Sequence, residues 1–439
     1  MRSVSKSGLP IVAVMYGTGS AGPVRILQAA QDLCEIVFVC DTANPGVLPL
    51  LGGLKRRSRV VDISGKNAIE AARHLTAEAV SGVVTFSDYC IMQVAAIAQQ
   101  LRLPYHAVST AALLTDKNAQ RRAFRSQGVD NTPNYVAASA KCVLEAAAQI
   151  GCPVVIKPLQ GAGSRNTYML TNADELPRWL DELFVDAESN NSGPYVVEKY
   201  LEGDPQVAGD GLGDYVSVES AIFEQTILTL GVTGKLPLCA PFRESGMFVP
   251  SSLTPEMERE VVKLAEVAIR ALGITTGITH TEIKLTLDGP RIIEVNGRAG
   301  GHVVDLLSRS GRVDLIRAAL QIALGKTPEF SPFPAKGIFF EWFLIPRVDA
   351  SEVTSIEGAV ETRLIPGVEA VETGSPLPQK VDSRIGNQRL GSVHGKAPDM
   401  ASFMSICQQV EKTLIANYSG NWPEVTPDHS AAVKPEHSG

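Results

Sequence analysis

The chain has 439 residues, more than one hydrophobic core usually serves, so two to four domains or subdomains are expected. Its 44% hydrophobic and 20% charged residues are those of a soluble globular protein, and a net charge of −7 argues against a nucleic-acid or anionic-membrane surface. The seven cysteines (Cys34, Cys40, Cys90, Cys142, Cys152, Cys239 and Cys407) contain no C-x-x-C pair and are odd in number; they read as thiols in a reducing compartment, not as a disulfide framework or zinc site. No stretch approaches the ~20 apolar residues of a membrane-spanning helix. The apolar run 9–15 stops at Tyr16-Gly17 without a small-residue cleavage pattern, so it reads as a buried strand, and a cytoplasmic location is expected.

Residues 10–110 alternate strand and helix signals. Pro10–Met15 is a strand, followed by the turn Gly17-Thr-Gly-Ser-Ala-Gly22 and a helical pattern from Pro23 to Asp32. Further strands fall at Glu35–Cys40, Val60–Ile63 and Gly82–Phe86, with a helix over Ala68–Val80, which is the βαβ rhythm of an open parallel sheet. Residues 115–150 are mostly helical, Pro153–Lys157 and Tyr195–Glu198 are strands, and 203–214 is a polar insertion. Tyr215–Phe223 and Gln225–Val232 alternate like an antiparallel hairpin. Thr254-Pro255 opens an amphipathic helix to Leu272, and Asp288-Gly289 turns a hairpin between Thr279–Leu287 and Arg291–Val295. Val313–Leu324 is a helix, Ala401–Ala416 a closing helix, and the residues from about Ser419 have the composition of a disordered tail.

The strongest chemical signal lies in the second hairpin, Gly277-Ile-Thr-His280-Thr-Glu282-Ile-Lys284 followed by Glu294-Val-Asn296-Gly-Arg298-Ala-Gly300-Gly301. Consecutive strands bring Glu282 and Glu294 together, and period two places Glu294, Asn296 and Arg298 on one face. Three oxygen-bearing side chains suit a hard cation such as Mg²⁺. A metal beside an arginine is what a developing phosphoryl or acyl-phosphate charge requires. The alternative is a solvated polar strand face with surface salt bridges.

This pattern, G-x-x-H-x-E followed by G-P-R-x-x-E-x-N-x-R-x-G-G, resembles the ATP-grasp superfamily, and within it the bacterial L-amino-acid ligases of the bacilysin-synthetase type. The resemblance runs from about residue 10 to 415. It implies an α/β and α+β, ATP-grasp fold: an N-terminal Rossmann-like domain over 1–112, a small lid subdomain over 113–200, a larger ATP-grasp and C-terminal domain over 201–420, and a disordered tail over 421–439. It implies ATP and one or two Mg²⁺ ions as cofactors, with Mn²⁺ as a substitute, held by Glu282, Glu294 and Asn296. Arg298 matches the arginine on the transferred phosphate, and His280 shares its catalytic neighbourhood.

The other family positions follow in order. Lys117, after Asp116, and Lys157, ending Val154-Val-Ile-Lys157, match lysines on the α- and β-phosphates. Gly161, Gly163 and Ser164 form a glycine-rich loop whose N–H groups would cradle phosphate under a closing lid. Glu198, Lys199 and Leu201 resemble the hinge that reads adenine. Asp214 or Glu202 is the candidate ribose acid, the insertion 203–213 separating Asp214 from the hinge. Glu244 resembles a substrate-amine contact, although the histidine usual in that segment is Met247 here. His302, Gly300 and Gly301 are placed at the substrate. Ser87-Asp88-Tyr89, at a strand end, is either a ligand contact or a plain cap.

The implied reaction joins an amino acid, through an acyl phosphate, to a second amino acid or small amine, giving ADP and phosphate. The partners are therefore small carboxylates and amines, without nucleic acid or membrane, in a possible homodimer. Three alternatives stand beside it: a biotin-carboxylase-like or purine-pathway ATP-grasp reaction, a catalytically silent nucleotide binder, and a nicotinamide-dependent oxidoreductase. The last follows from Gly17-x-Gly19-x-x-Gly22 with Asp41 after the next strand, a dinucleotide fingerprint.

Overall fold

The structure is a computed structural model and describes residues 8–173, 178–189, 193–332, 335–374, 376–382, 386 and 388–421. It divides into two compact units. One comprises Met1–Asp130, Tyr215–Gly234 and Val249–Lys336, and the other Asn131–Asp214, Lys235–Phe248 and Gly337–Gly439.

In the first unit, four parallel strands lie in the order Arg59–Asp62, Glu35–Cys40, Ile11–Met15 and Gly82–Thr85. Ile11–Met15 is central and buried along its whole length, as a run apolar on both faces demands. The glycines of the following turn have a packing reason. A Cβ on Gly19 would collide with the Phe86 carbonyl, and the Ser20 N–H donates to that same carbonyl at 2.8 Å. Asp41 accepts from Ser64 Oγ at 2.7 Å and from the Ala43 N–H at 2.9 Å.

The same unit contains antiparallel strands in the order Gly289–Asn296, Gly277–Thr286, Tyr215–Phe223 and Thr226–Lys235. The helix Pro255–Ala271 packs on this sheet. It starts as its sequence predicts, with the Thr254 side chain accepting from the Met257 N–H, proline in the first turn, and Glu256 and Glu258 at its positive end. The helix Leu315–Ala323, almost wholly buried, packs on both the Gly82–Thr85 and Gly277–Thr286 strands.

In the second unit, Asn134–Ala137, Tyr195–Lys199, Val154–Pro158 and Tyr168–Leu170 form an antiparallel sheet in that order. Val143, Ala147, Ile156, Leu180 and Tyr195 fill its core, and Trp179 stacks on Tyr168. The antiparallel series Gly246–Val249, Ile338–Leu344, Gly391–Ala397 and Val368–Thr373 belongs largely to this unit.

The closing helix ends at Thr413, and Ile415–Asn421 is a strand paired antiparallel with Ala350–Glu357, so Ser419 and Asn421 are not tail. The β-favouring Ile415 and Tyr418 outweigh the polar composition, and Arg347 lies 5.2 Å over the Tyr418 ring. Residues 422–439 of the expected tail lie outside the described residues. Among the described residues no helix is long and apolar enough to cross a membrane.

Candidate active site

Register builds the site in the first unit. Glu294 faces Glu282, which faces Ser217 on the next strand. One rung along, Asn296 faces His280, which faces Glu219. Directly opposed residues share a face, so two carboxylates, an amide, a histidine and a third carboxylate lie on one surface. Asn296 Nδ2 donates to Glu294 Oε1 at 3.2 Å, so its amide oxygen is the atom of this side chain that could serve as a ligand. Among the described residues no group of three or more His, Cys, Asp and Glu side chains is spaced to hold a metal alone. Two carboxylates with one amide oxygen fit an ion such as Mg²⁺, which keeps several waters and takes phosphate oxygens.

The helix Lys117–Ser126 positions this edge. Asp116 caps it, accepting from the Ala119 N–H at 2.8 Å. The Gln120 side chain bonds both the N–H and the carbonyl of Val295, at 3.0 and 2.8 Å, as a neighbouring strand would. Arg121 donates to the Ile292 and Ile293 carbonyls at 2.7 and 3.0 Å. Lys117 Nζ thereby lies 3.6 Å from Glu294.

His280 Nδ1 is hydrogen-bonded to the fully buried Glu219, and Nε2 lies 3.3 Å from Glu282. Burial pulls the imidazole down, but Glu219 and then Glu282 outweigh it and raise its pKa to about 9. The raised pKa favours the imidazolium, and with both ring nitrogens engaged by carboxylates His280 is poorly placed to act as a general base. Glu219 also accepts the Gly300 N–H at 3.3 Å, and a Cβ on Gly300 would stand 2.5 Å from His280 Nδ1, so this turn needs glycine. Gly301 has nothing within 4 Å of the corresponding position, and His302 follows it directly, capping the helix Val303–Arg309.

Arg298 is paired with Asp88, Nε at 2.7 Å and Nη2 at 2.6 Å from Oδ2. Burial pulls its basicity down, but Asp88, Glu294 and Glu282 raise it on balance. Beneath it, His106 Nε2 meets the Gly297 carbonyl at 3.3 Å. Burial lowers the His106 pKa to about 4, the Gly297 bond only partly opposing this. An unfolded histidine protonates near pH ~6.5. Stability therefore falls with pH from about 6.5 to about 4, by up to about 1.4 kcal/mol per unit, because only the unfolded chain takes the proton. His106→Gln should flatten the unfolding free energy against pH over this window, and an unchanged slope would refute the assignment.

The remaining predicted residues lie in the second unit. Lys157 and Glu198, diagonal neighbours on adjacent strands, form a buried ion pair at 2.9 Å. The Lys199 N–H donates to the Pro133 carbonyl at 3.0 Å, so that N–H is already engaged. Gly161 and Gly163 adopt positive φ, as do Ser164 at 54° and Asn166 at 52°, conformations that cost a non-glycine residue roughly 1–2 kcal/mol. A Cβ on Gly386 would meet the carbonyl carbon and oxygen of Ser164 at 2.5 and 2.6 Å. The insertion 203–213 brings Asp214 back: its carboxylate lies against Gly203, directly after Glu202. Glu244 is held between Lys235 at 2.9 Å and Arg389 at 3.3 Å. Sequence reasoning missed Glu219, Gln120 and this pair of cations. The alternating strand Tyr215–Phe223, with an isolated glutamate on a buried face, was the signal for the first.

Residues 150–305 match the ATP-grasp domain family. The chain is 29% identical over 407 residues to the uncharacterized protein y4rH of Sinorhizobium fredii, covering 90% of this chain and 76% of that protein. It is 27% identical over 251 residues to alanine–anticapsin ligase of Bacillus subtilis, covering 55% of this chain and 53% of the ligase, so the match spans about half of that relative. The L-amino acid ligase from Bacillus licheniformis has a similar structure, with a TM-score of 0.75 at 19% identity over 95% of this chain and 100% of that one. The chain thus has the ATP-grasp fold, its residues 150–305 match the ATP-grasp domain family, and it resembles the L-amino-acid ligases.

Proposed function

We propose that the protein is an ATP-dependent carboxylate–amine ligase that forms an amide bond between an amino acid and a second amino acid or small amine. The observation that carries this reading is the opposed pair Glu282 and Glu294, with Asn296 beside them and the buried Arg298 on the same unit. Two like charges placed directly opposite each other repel unless a cation lies between them, which favours a metal site over a plain solvated strand face.

In this reading Glu282, Glu294 and Asn296 hold Mg²⁺, or Mn²⁺ in its place. The ion supplies charge neutralisation on the β- and γ-phosphates. Lys117 and Lys157 neutralise the remaining phosphate charge. Gly161, Gly163 and Ser164 offer backbone N–H groups to it, and the strain at Ser164 is consistent with a loop shaped for a ligand. The Glu198–Leu201 segment receives adenine, and Asp214 or Glu202, now neighbours, receives ribose.

The substrate carboxylate attacks the γ-phosphate to give an acyl phosphate and ADP. Arg298 lies against the acyl oxygens and stabilises the oxyanion formed when the amine attacks. His280, held cationic, adds fixed positive charge and orients Glu282. Gly300, Gly301, His302 and Glu244 border the substrates. Soluble, cytoplasmic enzyme chemistry with a homodimeric assembly completes the reading.

The test is phosphate release from ATP and Mg²⁺ across single and paired amino acids, with mass spectrometry of the products. The expected result is release that needs two amino acids and a product weighing their sum less one water. No release with any pair, and no hydroxamate from any carboxylate in the presence of hydroxylamine, would reject the ligase reading.

A further inference from the structure

We infer that Asp88 and Arg298 together receive the two charged ends of an α-amino acid: the substrate carboxylate lies on Arg298, and its α-ammonium lies on Asp88. The inference rests on the proposed ligase reading and assigns the residue that selects its amino-acid donor.

Asp88 begins the short turn that follows the strand Gly82–Thr85, at the carboxyl end of the parallel sheet, where open α/β folds take ligands. Its backbone is well fixed. Ser87 Oγ donates to the Thr18 carbonyl at 2.6 Å, and the Ser87 N–H donates to Thr85 Oγ1 at 3.1 Å. The Asp88 and Arg298 side chains keep only 13% and 11% of their exposure. Both arginine contacts go to one carboxylate oxygen, Oδ2, while Nη1 is turned to the Ala299 carbonyl at 2.9 Å.

An ion pair at the point where a carboxylate must bind imposes a selection. A simple carboxylate reaching Arg298 has to displace Asp88 or lie beside it. Either way an anion is left without its cation in a nearly buried place, where Glu282 and Glu294 also act on the arginine. An α-amino acid avoids this. Its carboxylate takes the guanidinium, and its ammonium, attached to the neighbouring carbon, takes the released aspartate. One ion pair becomes two, and the net charge of the site is unchanged.

Glu244, the acid that sequence reasoning assigned to the amine, is less suited. In its own unit it lies between Lys235 and Arg389, and an ammonium there would face two cations. Among the described residues Asp88 has one cationic partner, Arg298, the group that the substrate carboxylate itself engages.

The test is hydroxamate formation with ATP, Mg²⁺ and hydroxylamine, comparing amino acids with their des-amino acids, such as alanine with propionate. Wild type should prefer the amino acid by on the order of 10²-fold in kcat/KM, the scale of a buried charge left unpaired. Asp88→Asn should cut that preference at least tenfold, chiefly through the amino acid's KM, and Asp88→Glu should restore part of it. Equal use of amino and des-amino acids by wild type, which needs no variant, would overturn the inference. So would equal loss of both substrates in Asp88→Asn, since Asp88 would then only position Arg298. Hydroxamates with unchanged selectivity reject Asp88 alone, whereas no hydroxamate from any carboxylate rejects the ligase reading beneath it.

Discussion

Glu294→Ala should lower kcat for ADP formation by on the order of 10³-fold or more, with no loss of folded stability. Both halves follow from the register. Glu294 stands directly opposite Glu282, so in the metal-free protein the two carboxylates repel. Lys117, at 3.6 Å from Glu294, the Asn296 amide, at 3.2 Å, and His280, at 3.3 Å from Glu282, offset this only in part. Deleting one carboxylate relieves the repulsion, and the unfolding temperature without Mg²⁺ should stay level or rise. What is lost, in the proposed metal site, is one of two charged oxygen donors. Mg²⁺ with ATP should therefore raise the unfolding temperature of wild type and not of the variant. Coupled assay of ADP release and thermal melts with and without Mg²⁺ check both halves. Near-normal turnover would remove Glu294 from the metal site, and a large loss of stability would mean its role is structural.

Much of this geometry was legible because it is local. Alternation in Gly277–Thr286 and Gly289–Asn296 assigns the carboxylates to one face, and a tight turn makes the two strands neighbours. Period two says which face a residue occupies, but not which residue of a distant strand stands beside it. His280 and Glu219 are 61 positions apart, and Arg298 and Asp88 are 210 apart. Their pairing depends on the stacking order of strands from separate stretches of chain. For Asp214 the separation runs in the opposite sense. Eleven intervening residues, 203–213, suggested distance, yet the insertion folds back on itself and returns the carboxylate to Gly203. The strand Ile415–Asn421 was hidden because its polar composition resembles a tail, while its partner, Ala350–Glu357, is far away in sequence. Gln120 was invisible for another reason. A glutamine on a helix looks like a solvated surface residue until a strand edge lies against it.

Glu219→Ala should destabilise the fold by about 3–5 kcal/mol, the usual cost of removing one partner of a buried ion pair. The glutamate is fully buried and serves two groups, His280 through one oxygen and the Gly300 N–H through the other. Without it, the imidazolium keeps Glu282, at 3.3 Å, as its one carboxylate partner among the described residues, and the turn behind Arg298 loses its anchor. Glu219→Gln keeps the shape and the Gly300 bond but not the charge, so it should cost less. The decisive comparison is with His280→Ala. If the two side chains act as a pair, the double variant should be about as unstable as the worse single variant, because removing both leaves no stranded charge. Urea unfolding of wild type, both single variants and the double variant measures this coupling. Fully additive losses would mean that Glu219 supports the turn and His280 supports Glu282 independently, and the shared rung of charges would then be two separate contacts that happen to adjoin.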